Sequence, residues 1–260
     1  IKIKIKKCEA TQSEQAFYQN ATSNPLLVKK LVRKECYDLS KLDVSQIINM
    51  SDVFIFSKFN GDISSWNMSS VTDMSYMFYK VENFNQPLNN WNTSNVIDMK
   101  GMFAYTKEFN LPLNSWNVSN VTNMSYMFYN TKEFNSSLNL WDVSKVTNMS
   151  EMFYFAKEFN SPLNSWDVSN VTSMLEMFYN AIEFNQPINF DISNIITMER
   201  MFCDADAFLD KYNSGKTLPN ETDSIKDWFN LNRDRMNDID TKNKYGKEID
   251  DFFYKIENKK

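Results

Sequence analysis

The sequence predicts an α/β solenoid built from 25-residue strand–helix coils, with a capping element at each end. Three observations carry that reading. The dipeptide Phe-Asn recurs at Phe59, Phe84, Phe109, Phe134, Phe159 and Phe184, always 25 residues apart. Trp66, Trp91, Trp116, Trp141 and Trp166 keep the same step, as do the Met-Phe pairs beginning at Met77, Met102, Met127, Met152 and Met177. The composition matches one phrase copied many times: 15 Met, 21 Phe and 34 Asn, against 4 Gly and no histidine. Self-similarity at a fixed period of this length marks units that bury their apolar faces only by stacking on one another.

Residues 1–41 are assigned to an N-terminal cap. Ile1 to Lys6 alternates Ile and Lys, the period of a strand with one apolar face. Asn24-Pro25 reads as N-cap and first residue of a helix carrying Leu26, Leu27, Leu31 and Val32. A degraded half-repeat follows: Leu42-Asp43-Val44-Ser45 with Ile47 and Met50 mimics Trp141-Asp142-Val143-Ser144 with Val146 and Met149. The array therefore spans 42–208, about six to seven coils. Its last register is one residue short, with Phe190 in the tryptophan place and Phe208 closing the series.

Within one coil, Val96, Met99, Met102 and Phe103 form an apolar stripe at helical spacing. Ser94 is the expected N-cap, with Ser69, Ser119, Ser144, Ser169 and Ser193 as its equivalents. Pro87 pushes Gln86 into extended geometry, and inward Trp91 and Thr93 alternate with outward Asn90 and Asn92, which predicts a strand over 90–93. Such a coil is similar to a leucine-rich repeat in which Trp, Met and Phe replace most leucines. Asn60, Asn85, Asn110, Asn135, Asn160 and Asn185 fall in one column and are expected to form an internal structural ladder, because an amide both donates and accepts. Residues 209–260 are read as a helical C-terminal cap or docking element, with helices around Ser224 to Leu231 and Ile249 to Ile256.

Composition also excludes chemistry. Without histidine there is no Ser-His, Cys-His or His-metal mechanism, and neither glycine-rich phosphate motif occurs. Cys8, Cys36 and Cys203 are far apart and read as small apolar fillers. The array carries 8 basic and 18 acidic groups, whereas residues 1–41 carry 9 basic and 4 acidic. An acidic array without a basic stripe argues against nucleic-acid binding. No apolar run is long enough to span a membrane. The chain opens on Ile1 and not on Met, which reads as a fragment or a processed form, with removal of a signal peptide as one route to it. The expectation is a non-catalytic binder without cofactor, metal or small-molecule substrate.

Two faces are candidate binding surfaces for a protein partner. The first is the predicted strand face, with Asn67, Asn92, Asn117, Asp142 and Asp167 in one column and Asn90 beside it. The alternative is the predicted helix side, where Tyr79, Tyr129, Tyr154 and Tyr179 stand in register and Ala104 interrupts them.

The phrase Phe-Asn-x-Pro-Leu-Asn-x-Trp-Asp/Asn-Val-Ser-Asn-Val-Thr-x-Met-x-x-Met-Phe, almost unbroken over 159–178, resembles the repeat of the BspA-like leucine-rich-repeat surface proteins. It is also the 25-residue repeat of mycoplasma lipoproteins. The resemblance covers about two thirds of the chain and implies a surface or adhesion-type component at a cell surface or virion, with no catalytic residues to carry over. Two alternatives stand beside it: a structural part of a large assembly such as a virus particle, and an intracellular binder of a basic protein.

Overall fold

The computed structural model describes residues 23–34, 38–188 and 190–213. Helix α1 (Pro25–Arg33) starts at Asn24, whose Oδ1 accepts the Leu26 N–H at 3.0 Å, with Pro25 in the first turn where its missing donor costs nothing. Its Val28, Leu31 and Val32 enter the main core, and Lys29 pairs with Asp52 at 2.6 Å. A 3₁₀ turn, Leu39–Lys41, leads into the coils, and helix α2 (Asp206–Asn213) follows them. Successive coils are joined in parallel at Asn49, Asp73, Asp98, Asn123, Asn148, Ser173 and Thr197.

This stack is not the α/β strand–helix solenoid that the sequence predicts. Among the described residues the coils contain no helix, and each contributes a single bridged residue instead of a strand. The stretch expected to be helical is a run of overlapping turns. Met77, Tyr79 and Val81 donate to the Met74, Tyr76 and Phe78 carbonyls at 3.2, 3.1 and 3.0 Å. The alternate N–H groups leave the coil: Met74, Tyr76, Phe78 and Lys80 donate to the Asp98, Lys100, Met102 and Ala104 carbonyls of the next one, at 2.7 to 2.9 Å. An apolar stripe at i, i+3 suits such turns as well as it suits a helix, which is why the sequence misleads here.

The aromatic columns explain why turns prevail. Helices pack with axes about 8–10 Å apart. Equivalent rings of successive coils lie much closer. Trp91–Trp116 and Trp116–Trp141 centroids are 6.3 and 6.4 Å apart, and Phe103–Phe128 are 5.7 Å apart. Phe109–Phe134 stand at 6.1 Å, and Tyr129–Tyr154 and Tyr154–Tyr179 at 4.6 and 4.7 Å. A step this short leaves no room for one helix per coil.

The turns require left-handed backbone. Tyr76 and Lys80 have φ of 55° and 56°, and Tyr126 and Asn130 repeat the pair at 61° and 54°. Each such non-glycine residue costs about 1 kcal/mol, offset by the bonds that alternate between coils. Gly101 occupies one of these places at φ 58°, and a Cβ there would lie 2.5 Å from the Tyr76 ring, which crosses the backbone at that point.

The predicted strand at 90–93 is likewise a pair of turns: Trp91 donates to the Leu88 carbonyl and Val96 to the Thr93 carbonyl. Trp91 and Thr93 are buried while Asn90 and Asn92 are exposed, as the alternation requires. The expected serine caps head no helix. Each accepts a different role, donating its own N–H to the Asn or Asp two residues before it, as Ser94 does to Asn92 at 3.1 Å. The core repeats one coil. In the third coil it holds Leu88, Trp91, Val96, Met99, Met102, Phe103 and Phe109, all with 2% exposure or less. Each indole N–H reaches back to the preceding coil, as Trp116 Nε1 does to the Leu88 carbonyl at 2.8 Å.

The strand proposed for Ile1 to Lys6, Cys8, Cys36 and both helices expected beyond residue 220 lie outside the described residues. Cys203 is a half-buried free thiol.

Candidate interaction faces

The asparagine and aspartate column expected to meet a partner bonds within its own chain. Oδ1 of Asn67, Asn92, Asn117, Asp142 and Asp167 accepts the backbone N–H two residues on, at 3.0 to 3.1 Å. These are Asx turns, which let a short side chain take the place of a backbone acceptor. The residues are exposed, and Asn90 is exposed beside them. The Ser144 and Ser169 partners, through hydroxyl and N–H, hold the Asp142 and Asp167 carboxyls below the usual range. A second column does the same at Asn49, Asp73, Asp98, Asn123 and Asn148. In it the Asp98 carboxyl is pushed up, first by burial and then by the neighbouring Asp73 charge.

The column after phenylalanine lies at the surface, not inside. Asn60, Asn85, Asn110 and Asn135 are exposed, and Asn160 and Asn185 half-buried. The bonds that run along it are side chain to backbone. Oδ1 of Asn60, Asn85, Asn110, Asn135 and Asn160 accepts the N–H of the next asparagine in the series at 2.8 to 3.3 Å.

The turn runs carry a second aromatic layer on their outer side. Tyr79, Tyr129, Tyr154 and Tyr179 stand in one column with Ala104 between the first two, and Tyr105 from the adjoining column bridges the gap. Tyr79–Tyr105 centroids are 5.6 Å apart and Tyr105–Tyr129 5.2 Å. Tyr79 is buried, whereas Tyr129, Tyr154 and Tyr179 keep part of each ring in solvent. Phe56, Tyr76, Tyr126 and Phe155 flank them.

Cations of this chain rest on the rings. Lys80 Nζ is 5.4 to 5.6 Å from the centroids of Phe56, Tyr79 and Tyr105. Lys100 Nζ is 5.8 Å from both Tyr76 and Tyr126, and the Arg200 guanidinium 4.5 Å from Tyr179. Glu151 is buried against Tyr126, to which it is hydrogen-bonded, and Glu176 pairs with Arg200 at 2.5 Å. Burial, reinforced by carboxylates such as Glu151, drives the Tyr126 and Tyr154 hydroxyls far above their usual range. Burial also raises the Glu176 carboxyl although Arg200 pulls it down.

The sequence reading missed Lys80, Lys100, Glu151, Phe155 and Arg200. Its signal was the residue choice at the left-handed places: Gly101, Asn130, Asn180 and Asp204 are the types that tolerate positive φ. Among the described residues no three Cys, Asp or Glu groups converge on a metal-sized site, and no helix is long and apolar enough to cross a membrane.

A thin stack of turn-built coils, cored by aromatic columns and wrapped in Asx turns, defines a solenoid repeat protein. The chain belongs to the family described as Mycoplasma protein of unknown function, DUF285, which matches residues 14–140 and again 112–215. No curated protein and no solved structure matches it.

Proposed function

We propose that this is a non-catalytic repeat protein that binds a protein partner through its tyrosine face, as a surface or adhesion-type component. The observation that carries the reading is the partly exposed Tyr129–Tyr154–Tyr179 stack, at 4.6 and 4.7 Å between rings. Tyrosine offers rigid apolar area with a polar tip, the combination enriched where proteins meet. In the asparagine and aspartate column one oxygen of each side chain is already engaged in its own turn. The repeat's resemblance to BspA-like surface proteins supports the surface assignment.

Partner recovery compared among wild type, Tyr154→Ser with Tyr179→Ser, and Asn92→Arg with Asn117→Arg tests the assignment. Loss confined to the tyrosine variant is expected, with melting curves confirming that each variant folds. Loss confined to the asparagine variant overturns the tyrosine face as the binding surface.

A further inference from the structure

We infer that Asn60 is a self-modifying site: the folded chain converts its amide to aspartate or isoaspartate, with Asn85 and Gln86 as the groups that polarise it. Asn60-Gly61 is the single Asn-Gly pair in the sequence. In the other coils the asparagine of this column is followed by Gln86, Leu111, Ser136, Ser161 and Gln186. Asn60 is exposed and Gly61 half-buried. A Cβ at Gly61 would lie 2.9 Å from Cε2 of the Phe59 ring, which leaves little room for a side chain there. Nothing on residue 61 therefore stands over its own nitrogen, and the Gly61 N–H donates to no described residue.

The next coil holds the amide by its oxygen. Asn60 Oδ1 accepts the Asn85 backbone N–H at 3.1 Å and Gln86 Nε2 at 2.9 Å. A backbone N–H can only donate, so the oxygen end of the amide is fixed toward these groups. Two donors on one carbonyl oxygen draw electrons from Cγ and stabilise the negative oxygen that forms when a nucleophile adds. The nucleophile is the Gly61 nitrogen, once hydroxide has taken its proton. The new N–Cγ bond closes a five-membered ring. The Cγ–Nδ2 bond then breaks, and the nitrogen leaves as ammonia with a proton from water. A second water opens the resulting succinimide at either carbonyl, giving aspartate or isoaspartate. Asn160 is the comparison within the chain. Its Oδ1 accepts the Asn185 N–H and Gln186 Nε2, both at 3.0 Å, but buried Ser161 follows it, tied through its hydroxyl to the Asn135 carbonyl at 3.0 Å. The donors are alike, and the glycine separates the two places. Conversion adds a negative charge at Asn60. In isoaspartate the main chain runs through Cγ, which displaces the acceptor of the Asn85 N–H and loosens the tie between these two coils.

Ageing the whole folded chain in mildly alkaline buffer, followed by peptide mapping with mass spectrometry, tests this. The peptide carrying Asn60 is expected to gain the mass difference of carboxyl for amide and to split into two chromatographic products. It should do so at least about tenfold faster than the peptide carrying Asn160. Gln86→Met keeps the length of the side chain and removes its donor, and is expected to slow the conversion about threefold, the donor being partly exposed to water. Gly61→Ala is expected to slow it further. Melting curves confirm that each variant is folded while it ages. An Asn60 amide that survives as long as that of Asn160, or a folded Gln86→Met chain that converts at the wild-type rate, overturns the inference.

Discussion

At the scale of single residues, the structure rests on side chains that act as backbone. Asn92 or Asp142 accepting an N–H two residues on stands where a carbonyl would otherwise have to turn. The same geometry becomes unfavourable when the side chain is charged, half-buried and next to its own kind, as Asp98 is beside Asp73. Its raised carboxyl pKa means that the folded chain holds the proton more tightly than the unfolded chain. Stability is therefore fully present below the ordinary aspartate value of 3.8 and declines as pH rises through the higher folded value. Asp98→Asn, which installs the residue that the next two coils have at Asn123 and Asn148, should raise the melting temperature at pH 7. The gain is on the order of 0.5 kcal/mol once partial exposure is allowed for. It should vanish near pH 3, and a gain that persists there would point to a cause other than charge. The exposed Asp142 and Asp167 carry the opposite sign, their contribution fading as acid protonates them. Much of this scale was legible: the period placed the repeated asparagines in their columns. Which acceptor went to which N–H was not, because an Asx turn and a serine N-cap are written with the same Asn/Asp-x-Ser letters.

At the scale of the coil, repeated inter-coil bonds hold the step, among them those of alternate turn N–H groups, the indole N–H and the surface asparagine column. The asparagine contribution is separable. Asn110→Ala removes the acceptor for the Asn135 N–H, held at 2.8 Å. Because the site is exposed, water replaces part of the bond, and a loss of about 1 kcal/mol is expected, read as a lower midpoint in chemical denaturation with binding unchanged. An unchanged midpoint would show that the column contributes nothing to stability. The strand–helix coil was the part of the fold that sequence reasoning got wrong, for a physical reason. Val96, Met99, Met102 and Phe103 specify which residues point inward, and they do. They do not specify whether each N–H is satisfied within the coil or by its neighbour. That choice follows from the distance between coils, which the ring columns set and no single repeat reveals. The first coil was also half hidden. Val53-Phe54 takes the place of Met77-Phe78, with Phe54 stacked 5.0 Å from Phe78, but the spacing to Phe59 is one residue shorter than in later coils.

At the scale of the whole molecule, stability is a sum over neighbours, since each coil touches only the coils on either side. Deleting residues 110–134, one complete period, should leave a folded chain with a modestly lower melting temperature by circular dichroism. Deleting 110–121 should abolish the cooperative transition, because it puts tyrosine-face residues against tryptophan-column residues. A folded product from the half-period deletion would mean that the coils do not depend on register. The repeat columns have one more consequence. Rings at the same repeat position are related by the operation that carries one coil onto the next, so their separation measures how far that part of the coil travels. The travel is 4.6 to 4.7 Å along Tyr129, Tyr154 and Tyr179, and 6.3 to 6.4 Å along Trp91, Trp116 and Trp141. The pivot between coils therefore lies on the tyrosine flank, and the array opens like a hand fan with the tryptophans along its outer rim. Lengthening such a chain by further coils like those at Tyr129, Tyr154 and Tyr179 spreads the rim but keeps the tyrosines in van der Waals contact, so the tyrosine face extends as an aromatic rail coil by coil.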